Sequence, residues 1–291
     1  MSEDQGTQPQ SMTIKAAEQA FAALSWGEEG APVVLALHGW LDNAASFNIL
    51  APMLKGYRII ALDLAGHGLS DHRGQGADYP IWSYVPDVIS VMDSLDLEQV
   101  HLLGHSMGAI VSSILASACP ERVLTLSLID GLWPVPGEVE NVVSQLKRAV
   151  EHRARISGRA KNNFPTIDMA VRARRMGFGR ISSAAAELIV RRGIKEDNGG
   201  WIWRSDSRLL APAGVRFTLD QARKVVAEIK MPTLLLVASQ GILPELVEKN
   251  KSRLLHINIV TLDGDHHLHM EEGAEPAAKL IQAHLDKVQS V

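Results

Sequence analysis

Short runs of apolar residues recur along the chain, and Gly, Asp or Ser bounds each run. Six runs have the length of buried strands, at 33–39, 57–63, 100–106, 124–130, 233–239 and 257–263. Most neighbouring runs are separated by roughly 20 to 40 residues, about the length of one crossover helix with its loops. Continuous apolar strands that alternate with helices are typical of a parallel sheet. The pattern therefore predicts an α/β fold, with a mostly parallel sheet and helices on both faces.

One interval between apolar runs is far longer than the others. From Gly131 to Met231 no buried-strand pattern occurs, and the periodicity indicates several short helices. We expect a helical cap at 131–216, inserted after the strand that ends at Asp130. The core of the α/β fold would then consist of two segments, 16–130 and 217–291.

Composition limits the classes of protein that the chain can belong to. With 46% hydrophobic and 21% charged residues, the 291-residue chain is typical of globular proteins, and no apolar stretch approaches the ~20 residues that cross a bilayer. The net charge of −4 gives no electrostatic reason to expect nucleic acid as a partner. Residues 1–15 are expected to form a polar tail without the features of a secretory signal. The single cysteine, Cys119, excludes an internal disulfide and fits a cytoplasmic protein. Both monomer and dimer remain open.

Charge is divided unevenly between the two parts of the chain. Residues 131–216 contain 16 Lys or Arg and 8 Asp or Glu, a net charge of +8, so the remainder carries −12. Arg-rich stretches such as 172–180 indicate solvated helix faces. The alternative is that the cap attracts anionic acyl groups.

A candidate nucleophile lies in the sequence Gly-His-Ser-Met-Gly at 104–108. This G-x-S-x-G pattern follows an apolar strand and precedes a helical segment, which is the context of a nucleophile elbow. The serine of such an elbow sits on a strained turn, and glycines two residues away on each side avoid collisions with the neighbouring strand and helix. We therefore predict that Ser106 is a nucleophile rather than a serine that merely caps a helix.

A serine hydroxyl needs a base to attack a carbonyl near pH 7. Three histidines, His266, His267 and His269, follow the last predicted strand. We choose His266 because it lies nearest the strand end, and we place His267 in the substrate pocket. Three histidines this close also suggest a metal site, but no Cys or H-E-x-x-H helix accompanies them, so we expect neither a metal nor another cofactor.

Four motifs together resemble one family. They are His-Gly-Trp-Leu-Asp-Asn-Ala-Ala-Ser-Phe (38–47), Asp-Leu-Ala-Gly-His-Gly-Leu-Ser (63–70), Gly-His-Ser-Met-Gly (104–108) and Gly-Asp-His-His-Leu-His-Met-Glu-Glu (264–272). In this order they resemble the α/β-hydrolase superfamily and, within it, the serine hydrolase-like proteins. The resemblance implies the α/β-hydrolase fold and agrees with His266 as the base.

The acid that would orient His266 is missing from its commonest place in this superfamily. Many relatives carry it in the loop after the strand that matches 233–239, where this chain has Gly241. Asp130 is the best substitute because its strand ends at the same edge of the sheet, and some relatives place their acid there. Asp206 and Glu245 remain alternatives, and so does a purely N-capping role for Asp130.

The remaining expectations concern the oxyanion and the substrate. The backbone amides of Met107 and Trp40 should form the oxyanion hole, while Trp40, Leu132, Trp133 and His267 should line the pocket for a small-molecule acyl substrate. We expect a serine carboxylesterase that prefers short to medium acyl chains. A thioesterase, a lactonase, a lipase and a non-catalytic ligand-binding relative are the alternatives.

Overall fold

The computed structural model describes residues 8–156 and 163–289. Its strands are β1 (Gln10–Ala16), β2 (Gln19–Trp26), β3 (Val33–Leu37), β4 (Arg58–Leu62), β5 (Val100–His105), β6 (Val123–Ile129), β7 (Ile194–Asp197), β8 (Gly200–Trp203), β9 (Thr233–Ala238) and β10 (Asn258–Leu262). Its α-helices are α1 (Tyr84–Ser94), α2 (Met107–Ala118), α3 (Val142–Ile156), α4 (Ile167–Arg175), α5 (Ser183–Gly193), α6 (Leu219–Ala227), α7 (Pro244–Asn250) and α8 (Ala274–Gln289). Every strand predicted from an apolar run is present.

Eight strands form one sheet in the order β1-β2-β4-β3-β5-β6-β9-β10. β2 pairs antiparallel with both β1 and β4, and all pairs from β4 to β10 are parallel. The carboxyl ends of the parallel strands therefore meet at one edge of the sheet. This edge is where polar side chains that follow β3, β5, β6 and β10 come together.

Both faces of the sheet are buried, and β3 shows how its sequence achieves this. Leu35 and Leu37 pack on the face covered by α1, α2 and α6, whereas Val34 and Ala36 pack on the face covered by α8. All four side chains are completely buried. Alternate residues of a strand point to opposite faces, so a strand with helices on both sides must be apolar throughout. The predicted α/β fold with helices on both faces is confirmed.

The expected polar tail at 1–15 is wrong from Gln10 onward, where β1 begins and pairs with β2. Ile14 and Ala16 are buried, whereas Lys15 between them is exposed. This alternation is typical of a β-strand. A tight turn containing Ala17, whose φ is +52°, then leads into β2. Residues 1–7 lie outside the described part of the chain.

The expectation of helices alone at 131–216 is also incorrect. This segment, called the insertion below, contains α3, α4 and α5 but also the antiparallel hairpin of β7 and β8. The turn of the hairpin is Asn198-Gly199, and both residues have positive φ. Asn-Gly is the most typical sequence of a two-residue hairpin turn, so a local signal was present.

The insertion joins β6 to β9, which are neighbouring strands of the sheet. It has a small apolar cluster of its own, formed mainly by α4 and α5. Two buried ion pairs attach it to the rest of the protein: Arg174 of α4 lies 2.6 Å from Asp42, and Arg192 of α5 lies 2.9 Å from Asp63. Among the described residues, no helix is both long enough and apolar enough to span a bilayer.

Candidate active site

Ser106 lies at the turn between β5 and α2, with φ of +52° and ψ of −114°. Glycine on both sides makes this turn possible. A Cβ at Gly104 would lie 2.5 Å from Ala109 Cα, and one at Gly108 would overlap Leu37 O. The strained backbone thus projects the serine side chain from the carboxyl edge of the sheet, as the sequence context predicts for a nucleophile elbow.

Three predicted site residues form a continuous chain of hydrogen bonds. The Ser106 hydroxyl lies 2.9 Å from His266 Nε2, and His266 Nδ1 lies 2.6 Å from Asp130 Oδ2. A neutral imidazole with its proton on Nδ1 fits this arrangement, since it donates to the carboxylate and accepts from the hydroxyl. His266 is 4% exposed and Asp130 is fully buried, so water competes little for these hydrogen bonds.

The Asp130 carboxylate is fixed from several sides. Its Oδ2 also accepts from the amide of Ile242 at 2.9 Å, and its Oδ1 accepts from the amide of Ala238 at 3.3 Å. These two amides hold the carboxylate in one orientation beside His266. Asp130 itself has a φ of +42°, which is unusual for a residue other than glycine.

Gly241 has a direct structural relation to this carboxylate. A Cβ at position 241 would lie 2.6 Å from Asp130 Cγ and would overlap Oδ2. Any side chain at 241 would therefore displace the carboxylate. A side chain at 241 and the carboxylate of Asp130 would occupy the same space, so glycine at 241 makes room for the acid at 130.

The two alternative acids lie in other networks. Asp206 hydrogen-bonds to Arg208 at 2.6 Å and to the Tyr79 hydroxyl at 2.8 Å. Burial favours a raised pKa for Asp206, but the hydrogen bonds from Arg208 outweigh it and lower the pKa to about 2. Glu245 is exposed and faces Lys249 at 3.4 Å. The structure brings neither of them to His266 Nδ1, where Asp130 lies.

The two residues expected to supply oxyanion donors lie at this same edge. Met107 is the first residue of α2, and the amide of a first helical residue has no acceptor within its own helix. Trp40 follows Gly39 in the loop after β3, and its indole donates to Leu209 O at 3.0 Å. The close approach of Gly108 to the end of β3 brings the start of α2 against this loop.

The other predicted pocket residues differ in position. Leu132 and Trp133 are buried in the apolar core shared with α1, α2 and α6. Trp133 also lines a surface depression of about 450 Å³ together with residues of α6 and α7. His267, by contrast, is next to the Ser106–His266 chain, with its ring centroid 5.1 Å from that of His266.

A buried polar network adjoins His266, and sequence reasoning did not identify it. Asp42 lies 2.6 Å from Arg174 Nη2 and 3.1 Å from His267 Nε2. Burial would raise the pKa of Asp42, but His267 and Arg174 outweigh this effect and hold the pKa well below its usual value. Arg174 belongs to the Arg-rich stretch interpreted as a solvated helix face, yet it is only 9% exposed.

Two further histidines lie against this network. His105 Nε2 donates to His266 O at 3.0 Å, and the His269 ring lies 4.3 Å from that of His105. Burial, reinforced by the neighbouring histidines, lowers the pKa of His105 well below its usual value and that of His269 to about 3. Both rings are therefore neutral near pH 7.

Asp42, His105 and His267 are close enough to hold a metal ion, because one ligand atom of each lies within 4.8 Å of the others. The guanidinium of Arg174, however, already contacts both Asp42 and His267, the latter at 3.1 Å. A cation therefore balances the carboxylate without a metal. The chemistry of this cluster fits an ion pair better than a zinc site.

The turn after α4 covers His266 from the side of the insertion. The Phe178 ring meets the His266 ring edge to face, with centroids 5.4 Å apart, while the Phe178 side chain remains 56% exposed. A Cβ at Gly179 would lie 2.8 Å from His267 Cε1, so only glycine permits this approach. Arg174 holds the turn in place, since its Nη1 donates to Phe178 O at 3.3 Å.

The remaining histidines of the motifs have structural partners. His38 Nδ1 donates to Gly39 O at 2.8 Å, and its Nε2 accepts from the Leu64 amide at 3.0 Å. His67 Nδ1 donates to Ala65 O at 3.1 Å. The bond from Leu64 to His38 joins the loops after β3 and β4, so both histidines have structural partners outside the Ser106–His266 chain.

Comparison with known proteins places this geometry in a family. A sequence model described as alpha/beta hydrolase fold matches residues 32–273. The chain is 29% identical to a serine hydrolase-like protein of Danio rerio, over 84% of this chain and 79% of that protein. It is also 29% identical to serine hydrolase-like protein 2 of Homo sapiens, over 86% of each.

Two solved structures are similar over almost the whole chain. The hypothetical protein PA1622 of Pseudomonas aeruginosa PAO1 is 41% identical, with a TM-score of 0.91, over 95% of this chain and 99% of that one. The thioesterase domain from the curacin biosynthetic pathway is 25% identical, with a TM-score of 0.83, over 94% and 99%. The chain belongs to the α/β-hydrolase fold family and, within it, resembles the serine hydrolase-like proteins.

Proposed function

We propose that the protein is a serine hydrolase that cleaves carboxylic esters of short to medium acyl chain length through an acyl-enzyme on Ser106. The observation that carries this proposal is the hydrogen-bonded chain of Ser106, His266 and Asp130, with distances of 2.9 and 2.6 Å. A nucleophile, a base within hydrogen-bond reach and an acid that orients the base are the elements that acyl transfer requires.

The first half-reaction follows from the positions of these atoms. The Ser106 oxygen attacks the ester carbonyl while His266 Nε2 takes the hydroxyl proton, and Asp130 stabilises the imidazolium that forms. The carbonyl electron pair moves onto its oxygen, and the amides of Met107 and Trp40 would bind this oxyanion. When the tetrahedral intermediate collapses, the bond to the alcohol breaks and His266 returns the proton to the leaving alcohol.

The second half-reaction repeats this sequence with water. His266 takes a proton from a water molecule that attacks the acyl-enzyme, and the acid product leaves as the Ser106 hydroxyl is restored. The mechanism uses no cofactor and no metal ion. The unpaired Cys119 and the small-molecule substrate fit the cytoplasmic location that we propose.

Labelling and kinetics together test this proposal. Wild-type protein should react covalently with a fluorophosphonate and release p-nitrophenol in a burst from p-nitrophenyl butyrate, whereas Ser106→Ala should do neither. An absence of labelling in a correctly folded wild-type protein would favour a non-catalytic ligand-binding protein instead.

A thioesterase is the second candidate, because the curacin thioesterase domain covers nearly all of this chain at 25% identity. The same serine chemistry serves esters, thioesters and lactones, so kcat/KM must decide among them. A series of p-nitrophenyl esters of increasing chain length, measured beside acyl-CoA thioesters and lactones, gives the comparison. A preference for long-chain esters would indicate a lipase, and a higher kcat/KM for thioesters would overturn the carboxylesterase assignment.

A further inference from the structure

One helix of the insertion, α3, presents apolar side chains to solvent. The residues that form this surface, called the α3 stripe, are Val139 in the turn just before α3 and, within the helix, Val142, Val143, Leu146 and Val150. Val143 is 73% exposed and Val150 is 68% exposed, and no residue of α3 is buried. The spacing of three and four residues places the stripe along one side of the helix. A monomeric protein rarely exposes a continuous apolar surface without a partner for it.

Polar side chains, together with one side of Leu146, attach α3 to the protein. Gln145 donates to Ala213 O at 2.8 Å, and Arg153 pairs with Asp78 at 2.6 Å. Leu146 and Ala149 pass near Gly214. The helix also packs against the turn at Ser207–Leu210, where Leu209 O accepts a hydrogen bond from the indole of Trp40. The α3 stripe therefore belongs to a helix that packs on the same turn as the loop carrying Trp40.

The polar surroundings of the stripe are basic on balance. Lys147, Arg148 and Arg155 are exposed on the same helix, whereas Glu151 is its one acidic residue and lies 3.9 Å from Lys147 and 3.6 Å from Arg155. The whole insertion has a net charge of +8. A helix with an apolar face and lysines and arginines on its polar face is typical of helices that lie at the surface of a membrane. Each basic residue near an anionic bilayer contributes further attraction, which salt screens.

The same combination recurs at the end of α4. Met176 is 89% exposed and follows Arg175 directly, close to the half-exposed Phe178. Arg172, Arg175 and Arg180 are exposed, and none of the three forms an ion pair with a residue in 8–156 or 163–289. Exposed apolar side chains with basic neighbours thus occur twice in the insertion, and at the end of α4 the arginines form no ion pair with a described residue.

The alternatives to a lipid surface fit these observations less well. In a symmetric dimer the same face of both copies meets, so two insertions of charge +8 would repel each other. In protein interfaces the energetically dominant residues are mainly Trp, Tyr and Arg, whereas Val and Leu are under-represented. The α3 stripe consists of valines and one leucine, and a bilayer requires no complementary shape.

We propose that the α3 stripe and its basic neighbours dock the protein on the surface of an anionic lipid bilayer. The 15-residue helix lies in the interface and does not cross the bilayer. The docking is independent of the chemistry at Ser106. It would bring the turn at Ser207–Leu210 and the loop that carries Trp40 near the membrane surface.

Co-sedimentation with vesicles tests the proposal. Vesicles of phosphatidylcholine alone are compared with vesicles that contain about 30% phosphatidylglycerol, at about 20 mM and about 500 mM NaCl. The variant Val143→Glu/Val150→Glu places two carboxylates on the stripe at positions that make few contacts. Leu255→Glu is the matched control, since Leu255 is 85% exposed but precedes β10, at the opposite edge of the sheet.

We expect wild type and Leu255→Glu to sediment with the anionic vesicles at low salt and to dissociate at high salt. The double variant should partition at least about tenfold less, because it loses apolar contact and gains like charge with the lipid. Its circular dichroism and its hydrolysis of p-nitrophenyl acetate should match wild type.

Three results would overturn the proposal. The first is wild type that stays in the supernatant with anionic vesicles at low salt, and the second is equal partitioning of all three proteins. The third is a wild-type dimer in light scattering that Val143→Glu/Val150→Glu converts to a monomer, which would assign the stripe to a second copy of the chain.

Discussion

Moving the proposed acid from one strand end to the next tests the candidate site most directly. The change is Asp130→Ala combined with Gly241→Asp. A Cβ at 241 would lie 2.6 Å from Asp130 Cγ and overlap Oδ2, so an aspartate at 241 would place its carboxylate near the position that Asp130 vacates. The amide of Ile242, which donates to Asp130 Oδ2 at 2.9 Å, follows position 241 directly.

The expected magnitudes follow from the contacts of Asp130. Asp130→Ala removes the group that accepts from His266 Nδ1 at 2.6 Å, and loss of such an orienting acid lowers kcat on the order of 10⁴-fold. This corresponds to about 5.5 kcal/mol of transition-state stabilisation. The double change restores a carboxylate with imperfect geometry. The kcat of the double variant should be about 10²-fold higher than that of Asp130→Ala, since a positioned charge acts even when its hydrogen bond is not ideal.

The assay is the steady-state hydrolysis of p-nitrophenyl butyrate, with thermal unfolding measured on each variant. Asp130→Ala/Gly241→Asn is the matched control, because asparagine has the shape of aspartate without its charge. Gly241→Ala alone should also lose activity, since its Cβ displaces the carboxylate of Asp130. The reasoning is refuted if Asp130→Ala keeps more than about a tenth of kcat. It fails equally if aspartate at 241 restores no more activity than asparagine.

Three further predictions follow from the site and the core. Ser106→Ala should abolish ester hydrolysis without lowering the melting temperature, and His266→Ala should lose several orders of magnitude in kcat, whereas His269→Ala should lose far less. Activity should survive exhaustive treatment with EDTA, and a loss that zinc reverses would contradict the metal-free mechanism. Burial lowers the pKa of His38 to about 4 and that of His67 and His269 to about 3. Below about pH 6.5 these histidines bind protons in the unfolded chain but not in the folded state. The free energy of unfolding should therefore fall as the pH drops below about 6.5. Between about pH 6.5 and pH 5.5, protonation of the three histidines in the unfolded chain should lower the free energy of unfolding by on the order of 3 kcal/mol. Urea unfolding curves that coincide at these two pH values would contradict this account.

The parallel strands could be predicted because burial on both faces leaves a continuous apolar run in the sequence. The run at 33–39 corresponds to β3, and the run at 233–239 corresponds to β9. β1 was missed since it lies at the edge of the sheet, where only Ile14 and Ala16 are deeply buried. Polar residues on its exposed side resemble those of an unstructured tail.

The position of Asp130 beside His266 could be predicted because strand order and the carboxyl edge of a parallel sheet constrain it. The burial of Arg174 could not be predicted from the sequence. Its partner Asp42 is 132 residues away in the sequence, and only the docking of α4 brings the two together. Local periodicity shows whether a helix has a polar face, but it does not show whether a carboxylate from a distant loop meets that face.

The attachment of the insertion by two buried ion pairs has a consequence for removing it. The entropy of closing a loop grows only with the logarithm of its length, so joining β6 to β9 through about 17 residues instead of about a hundred changes the closure free energy by only about 1.6 kcal/mol. Deletion would, however, leave the carboxylates of Asp42 and Asp63 buried without Arg174 and Arg192. An unpaired buried charge costs about 3 to 5 kcal/mol. The stability of a shortened chain therefore depends on neutralising both aspartates far more than on the design of its linker.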